Sequence, residues 1–193
     1  MSVLENIFDR AKARAARVVL PEIEDPRIAE AAQQLRAKGL ADPIPLSPVN
    51  DAMVAGLVER RGLKDAIARR MLAKPLFRAA AMVDSGAADA MVAGADSPTK
   101  RVIEAASIVI GLRPGVRTPS SFFLMLFPDG RDMIFADCAV NLAPDAGQLA
   151  DIARASEQSA KALLDRVDIA LLSFSTGKSG SGESVDLVAA AAQ

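Results

Sequence analysis

The sequence predicts an α/β fold with a mainly parallel sheet, because short apolar runs typical of buried strands alternate with longer segments of helical periodicity. The first such run is Arg17-Val-Val-Leu-Pro21. Asp25-Pro26 follows it and is typical of a helix start, with the aspartate as N-cap and the proline in the first turn. The 193 residues, of which 51% are hydrophobic, suffice to bury the core of one large or two small domains.

The alternation continues through the N-terminal part of the chain. The helix after Asp25 carries apolar residues on one face and is predicted to end at Gly39, since glycine readily adopts the left-handed conformation of a helix end. The further elements predicted in this part are a strand at 44–46, a helix at 51–61, one or two helices within 66–82, a strand at 90–93 and a helix at 99–110.

The pattern changes near Arg117, which marks the predicted domain boundary. Two apolar runs now flank Pro128-Asp-Gly-Arg131, and a turn sequence in that position predicts an antiparallel hairpin. The predicted elements here are strands at 121–127 and 133–137, a long helix at 144–164 and a strand at 167–174. We therefore predict two domains, at 1–116 and 117–193.

Composition excludes several classes of function. The chain has no histidine, so it has no Ser-His-Asp or Cys-His relay, and a single cysteine without histidine does not make a zinc site. We expect no metal. A net charge of −1 argues against a basic surface that binds nucleic acid. No apolar run approaches the ~20 residues that span a bilayer, and the N-terminus lacks the pattern of a signal peptide, so we expect a cytoplasmic protein that does not bind membranes.

A loop rich in serine, glycine and threonine follows the apolar run at 167–174. Its Gly-Lys-Ser sequence at 177–179 is that of a nucleotide-binding P-loop, but that motif needs a glycine at the position of Leu172. Two interpretations remain open. The loop at 175–182 is either a flexible connector or a segment whose N–H groups and hydroxyls contact an anion.

A second candidate loop, 94–99, lies between a predicted strand and a predicted helix. Ligands of open α/β sheets bind at such carboxyl ends of strands. Ser97 and Thr99 could offer hydroxyls, and the helix N-terminus could offer N–H groups. A helix cap without any ligand explains the same sequence equally well.

Three functional side chains follow the second strand of the predicted hairpin. We expect Cys138 to be a small buried apolar residue. We expect Asp137 and Asn141 to fix the loop backbone through hydrogen bonds, and a catalytic role for Asp137 is the less favoured interpretation.

Six stretches of the sequence resemble the phosphate acetyl/butyryltransferase family, and they occur in the family's order. They are Val18-Val-Leu-Pro-Glu-Ile-Glu-Asp25, Ala88-Asp-Ala-Met-Val-Ala-Gly-Ala95, Pro119-Ser-Ser-Phe-Phe-Leu-Met125, Pro128-Asp-Gly130, Phe135-Ala-Asp-Cys-Ala-Val-Asn141 and Leu171-Leu-Ser-Phe-Ser-Thr-Gly177. Any one of them alone is weak, but together they are specific and cover most of the chain.

The resemblance implies two α/β domains, each of three αβα layers as in isocitrate and isopropylmalate dehydrogenases, with the active site in a cleft and the second domain incomplete. It implies an acyltransferase that converts acetyl-CoA and phosphate to acetyl phosphate and CoA. Coenzyme A is then a substrate, no cofactor is needed, and a homodimer is possible. The resemblance also makes Ser175, Thr176 and Ser179 part of one wall of the cleft.

The sequence departs from the family pattern in three ways. The segment Asn-Asp-Leu-Ser-Arg-Gly, which supplies the family's catalytic aspartate, has no match here, so no catalytic residue is assigned. The region 43–56 looks shortened, and the arginine expected before a Lys-Gly turn maps to Arg60 or Arg61. In the helix after Gly94, the family's Asp and Arg positions carry Arg101 and Glu104, with the charges exchanged.

Because Arg101 and Glu104 lie three residues apart, they are neighbours on one helix face. We therefore expect Arg101 to replace the family's substrate-binding arginine from one turn earlier. The alternative for the whole chain is a catalytically impaired fragment or a non-catalytic interaction protein of the same family.

Overall fold

The computed structural model describes residues 2–164, 166–177 and 179–193. They form two compact units. The first comprises Asn6–Gly111, and the second comprises Leu112–Gln193 together with the N-terminal residues up to Glu5. The chain thus leaves the first unit shortly before the change of pattern at Arg117, and the domain bounds 1–116 and 117–193 stay a prediction.

The first unit contains a parallel sheet of three strands, which confirms the predicted fold class. Its strands β1 (Arg17–Val19), β2 (Asp42–Ile44) and β3 (Ala90–Met91) are arranged in the order β2-β1-β3. The helices of this part of the chain are α1 (Val3–Arg14), α2 (Pro26–Ala37), α3 (Asp51–Arg61), α4 (Asp65–Leu72), α5 (Pro75–Asp84) and α6 (Thr99–Val109).

Local sequence signals account for several boundaries. Asp25 caps α2 by accepting a hydrogen bond from the N–H of Arg27 at 2.9 Å, with Pro26 in the first turn as predicted. The prediction for β2 was wrong by two residues, since the strand ends at Ile44 rather than Leu46. Pro45 follows Ile44 and has no N–H to donate to the ladder.

The core of the first unit lies between β1 and the helices α3 to α6. Alanines at 79, 80 and 81 on α5 are almost fully buried, and their small side chains let α5 and α6 approach each other closely. The largest fully buried side chains are Val19, Val54, Leu57, Leu72, Met82 and Val109.

The second unit contains the predicted hairpin and two helices. Strands β4 (Phe122–Leu126) and β5 (Asp132–Ala136) pair antiparallel, with Leu124 opposite Ile134. Helix α7 (Ala146–Leu163) begins with a capping box formed by Asp145 and Gln148, and α8 (Glu183–Ala191) packs against it. Among the residues that the structure describes, no helix is long and apolar enough to cross a bilayer.

The predicted strand at 167–174 does not form. The chain from 166 to 174 has no regular structure, and it exposes Leu172 by 85% and Phe174 by 92%. An apolar run becomes a strand only when a neighbouring strand supplies partners for its N–H and C=O groups. In the described part of the second unit, the two strands pair with each other only, so this run has no such neighbour.

Candidate substrate-binding site

A cavity of about 460 Å³ opens in the first unit where strands β1 and β3 end. The turn after β1, the start of α5 and the loop between β3 and α6 form its walls. This is the carboxyl edge of the parallel sheet, where ligands of open α/β folds bind. We call it the edge pocket.

Both signs of charge line the edge pocket. Lys74 at the start of α5 and Arg101 in the first turn of α6 are its cations, and Leu76 and Phe77 form an apolar part of the wall. The N-termini of α2, α5 and α6 all lie at this edge, and the N-terminus of a helix favours negative charge. The carboxylates that line the pocket are Glu22, Glu24, Asp25 and Asp96.

One of these carboxylates binds the loop between β3 and α6. The Glu22 Oε2 atom accepts hydrogen bonds from the N–H groups of Gly94 and Ala95, each at 2.8 Å. Its Oε1 atom accepts from Ser97 N at 2.7 Å and from Asp96 N at 3.4 Å. Partial burial by itself raises the pKa of Glu22, but the hydrogen bonds from Ser97, Ala95 and Gly94 outweigh it and lower the pKa to about 2.

This contact involves the loop 94–99, for which the sequence left two interpretations open, and both stay predictions. The backbone N–H groups that could have met an anionic ligand are taken by the chain's own carboxylate. Ser97 lines the edge pocket and binds Glu22 through its backbone N–H. Thr99 is exposed at the start of α6 and does not line the pocket. Sequence reasoning missed Glu22, whose one local signal is an acid placed just after a buried strand.

Because its pKa is lowered, Glu22 makes stability depend on pH. The folded chain favours the ionised carboxylate, so the stabilisation is complete above the unfolded pKa of 4.5 and is lost as the pH falls through about 2. Between these two pH values, we expect the free energy of unfolding to fall less in Glu22→Gln than in the unaltered chain. Urea unfolding followed by circular dichroism at several pH values measures this. An unchanged pH profile would contradict the assignment.

Arg101, the predicted substitute for the family's arginine, does line the edge pocket. Its Nη1 atom lies 2.7 Å from Glu104 Oε2, so the predicted neighbours on the helix face form an ion pair. The Arg101 side chain is 64% exposed, and an exposed ion pair of this kind is weak. The guanidinium can therefore exchange its partner for an incoming anion at small cost.

The other predicted arginines do not line the edge pocket. Arg60 forms an ion pair with Asp84 at the end of α5. Arg61 donates to two carbonyls in the last turn of α6, from Nε to Ile108 O at 2.6 Å and from Nη2 to Ser107 O at 2.8 Å. Both side chains thus connect helices of the first unit, and their predicted contact with phosphate stays a prediction.

The predicted loop at 175–182 lies in the second unit, and its hydroxyls bind the loop itself. The Ser175 Oγ atom accepts a hydrogen bond from Gly180 N at 2.7 Å, and the Ser179 Oγ atom donates to Thr176 O at 2.8 Å. Lys178 lies outside the described residues. Ser175 also lines a separate cavity of about 540 Å³ beside α7 and α8.

The loop after β5 is organised by Asp137, which confirms its predicted role. The carboxylate accepts hydrogen bonds from Ser121 Oγ, from Asn141 Nδ2 and from the N–H groups of Ala139, Val140 and Asn141. Burial alone would raise its pKa, but these bonds hold the pKa well below its usual range. The prediction for Cys138 was wrong, because its thiol is only partly buried and lies 3.3 Å from Ser121 Oγ. The short loop places the polar Ser121 hydroxyl beside it.

In the described ranges, no group of three or more acidic or cysteine side chains is arranged to hold a metal ion. The comparison with known proteins then decides the family. The model of the phosphate acetyl/butaryl transferase family matches residues 2–55 and 48–193. The chain belongs to this family.

Two curated relatives illustrate the similarity. The chain is 39% identical to a phosphate acetyltransferase of Paracoccus denitrificans over 203 residues, which cover 93% of this chain and 64% of the relative. It is 31% identical to one of Thermoanaerobacterium thermosaccharolyticum, with 100% of this chain and 69% of the relative covered. The first of these is therefore matched over less than two thirds of its length.

Solved structures agree with the family. An EutD phosphotransacetylase from Staphylococcus aureus matches 98% of this chain with a TM-score of 0.87 and 30% identity, and 66% of that protein is covered. A phosphotransacetylase from Streptococcus pyogenes matches 95% of the chain with the same TM-score and identity, and 65% of it is covered. The parallel sheet of the first unit and its edge pocket are thus part of a phosphate acetyl/butaryl transferase fold.

The comparisons also confirm that the chain is shortened internally. The alignment with the Thermoanaerobacterium protein runs over 227 residues, although this chain has 193. The family model matches in two pieces that overlap at 48–55. This overlap lies within 43–56, the region that looked shortened in the sequence.

Proposed function

We propose that this chain takes part in acyl transfer of the phosphate acetyltransferase type, from acetyl-CoA and phosphate to acetyl phosphate and CoA. The observation that carries the proposal is the match to phosphotransacetylase structures with a TM-score of 0.87 over almost the whole chain. Curated phosphate acetyltransferases at 31% to 39% identity support the same reaction.

One part of the edge pocket, that of Lys74 and Arg101, suits anionic substrates. Phosphate and the phosphate groups of coenzyme A carry the charge that Lys74, Arg101 and the helix N-termini favour. The apolar wall of Leu76 and Phe77 offers a surface to the uncharged part of the thioester. The carboxylates of the pocket repel a bound anion, so a phosphate group fits only on the side of the two cations.

In the proposed reaction, a phosphate oxygen attacks the carbonyl carbon of acetyl-CoA. A carbon–oxygen bond forms, the carbon–sulfur bond breaks, and the thiolate of CoA leaves and takes up the proton that the attacking hydrogen phosphate gives up. The cations Lys74 and Arg101 of the edge pocket stabilise the negative charge that develops on the carbonyl oxygen. The acid or base that handles the thiol proton is not assigned to any residue of this chain.

Coenzyme A is a substrate in this proposal, and no cofactor takes part. We also propose that the protein works in the cytoplasm, which a single cysteine and the substrates support.

The assay for the proposal measures thioester formation from acetyl phosphate and CoA by the purified 193-residue chain. Turnover above the rate without protein would support it. A second measurement, CoA binding by calorimetry, separates a chain that binds but does not turn over from one that does neither. Absence of both would reject the proposal in favour of a non-catalytic family member.

Arg101→Ala is expected to raise the dissociation constant for CoA or inorganic phosphate about tenfold, which corresponds to ~1.4 kcal/mol. The reason is the loss of a charge-assisted contact in the edge pocket. Arg69→Ala is the control, because Arg69 lies in the same unit and forms an exposed ion pair with a carboxylate of its own helix, Asp65. Equal affinities of the Arg101 variant and the unaltered chain would remove Arg101 from the site.

We further propose a homodimer formed through the second unit. The hairpin exposes apolar side chains on both strands, and Phe123 and Phe135, which lie opposite each other in its register, are 58% and 49% exposed. Large exposed apolar patches mark interfaces. The double variant Phe123→Ser, Phe135→Ser should shift the chain from dimer to monomer in analytical ultracentrifugation. A monomeric unaltered chain would refute the dimer.

A further inference from the structure

The loop 94–97 is held by hydrogen bonds rather than by burial. Gly94, Ala95 and Asp96 are exposed, and Ser97 is half-buried, so no apolar side chain anchors this segment in the core. All four N–H groups point at the Glu22 carboxylate, which comes from the turn after β1. Carboxylate bonds to N–H groups are among the stronger hydrogen bonds in proteins.

The first turn of α2 also binds the loop, through a donor. Arg27 pairs with Asp25 and donates from Nη2 to the carbonyl of Ala95 at 3.2 Å. The loop therefore has its N–H groups bound to the β1–α2 connection and one of its carbonyls bound to the first turn of α2. Because α6 starts directly after this loop, the position of Glu22 sets where the first turn of α6, with Arg101, begins.

We infer that Glu22 is a positioning residue of the edge pocket, which acts as a fixed internal anion and holds the loop that places Ser97 and Arg101. This rests on the proposed function of the pocket. Glu22 does not touch the substrate in this account, since its two oxygens are occupied by the loop.

A competing account makes an opposite prediction. Successive N–H groups that converge on one point form an anion site, and Glu22 could fill a site that phosphate would otherwise occupy. Removal of the side chain then frees the N–H groups and tightens phosphate binding. If Glu22 is a positioning residue, removal lets the loop move and weakens binding.

The experiment uses the full chain with Glu22→Gln and Glu22→Ala. Asp89→Asn is the matched control, because Asp89 lies before β3 at the opposite edge of the sheet, bonds Arg17 and also has its pKa lowered to about 2. Calorimetry gives the dissociation constants of CoA and inorganic phosphate. Amide hydrogen exchange by NMR gives the protection of the N–H groups at 94–97.

We expect both Glu22 variants to bind CoA about fivefold or more weakly, and Glu22→Ala to lose amide protection at 94–97. Asp89→Asn should lower the free energy of unfolding but leave the CoA dissociation constant within about twofold of that of the unaltered chain. Weaker CoA binding in the Glu22 variants is then not explained by a general loss of stability. Unchanged affinity, unchanged protection or tighter phosphate binding in Glu22→Ala would overturn the inference.

The proposed function can fail separately. If the unaltered chain binds neither CoA nor phosphate, the function of the pocket is rejected together with the effect of Glu22 on binding. The exchange measurement then decides by itself whether Glu22 holds the loop.

Discussion

Replacement of Leu72 by alanine is expected to lower the free energy of unfolding by roughly 2–5 kcal/mol. Leu72 ends α4 and is fully buried in the core of the first unit. The substitution removes apolar contacts and leaves a cavity, because the surrounding helices relax only partly. The chain has no tryptophan or tyrosine, so circular dichroism during urea unfolding is the suitable measurement.

Ile67→Ala provides the control on the same helix. Ile67 is 46% exposed, so its removal should cost about 1 kcal/mol or less. A similar loss in both variants would mean that the core lies elsewhere. A loss confined to Leu72 would confirm that α4 is fixed by its buried face.

Asp137→Ala is expected to lower the stability of the second unit by about 1–3 kcal/mol. The change leaves the N–H groups of Val140 and Asn141 without the carboxylate that accepts their hydrogen bonds, and the Ser121 hydroxyl loses its acceptor. The N–H of Ala139 keeps its hydrogen bond to Ser121 Oγ at 2.9 Å. Since Asp137 connects the start of β4 with the loop after β5, both strands should lose order at the open end of the hairpin. Thermal unfolding and amide exchange at 138–141 measure these effects.

Asp129→Ala is the matched change at the other end of the hairpin. Asp129 pairs with Arg131 in the exposed turn, and such pairs contribute about 0–1 kcal/mol. If Asp129→Ala lowers the free energy of unfolding as much as Asp137→Ala does, the hydrogen bonds of Asp137 stabilise the hairpin no more than an exposed ion pair.

Local patterns predicted those parts of the fold that local chemistry decides. The Asp25-Pro26 start of α2, the bounds of α3 and the hairpin around Pro128–Arg131 all depend on residues a few positions apart. The strand expected at 167–174 failed for the opposite reason. Its formation requires a partner strand, and an apolar run contains no information on whether one is present.

The features of the candidate site also fall into two groups, those that local sequence predicts and those that depend on distant residues. The carboxyl edge of the parallel sheet was predictable, because strand–helix alternation determines where the loops gather. Glu22 was not, since its four donors lie 72 to 75 residues further along the chain. The ion pair of Arg101 with Glu104 was predictable from a spacing of three residues, whereas the contact of Arg61 with the end of α6 spans 46 to 47 residues.

The hold of Glu22 on the loop 94–97 has an entropic consequence. Fixing the backbone of one mobile residue costs roughly 1–2 kcal/mol. When a ligand must order a loop as it binds, this cost makes the binding free energy less favourable. Here folding itself orders the four residues 94–97, of which Asp96 and Ser97 line the edge pocket. A ligand that enters the pocket would therefore meet a preorganised wall, and its binding free energy would not be reduced by the ordering of this loop.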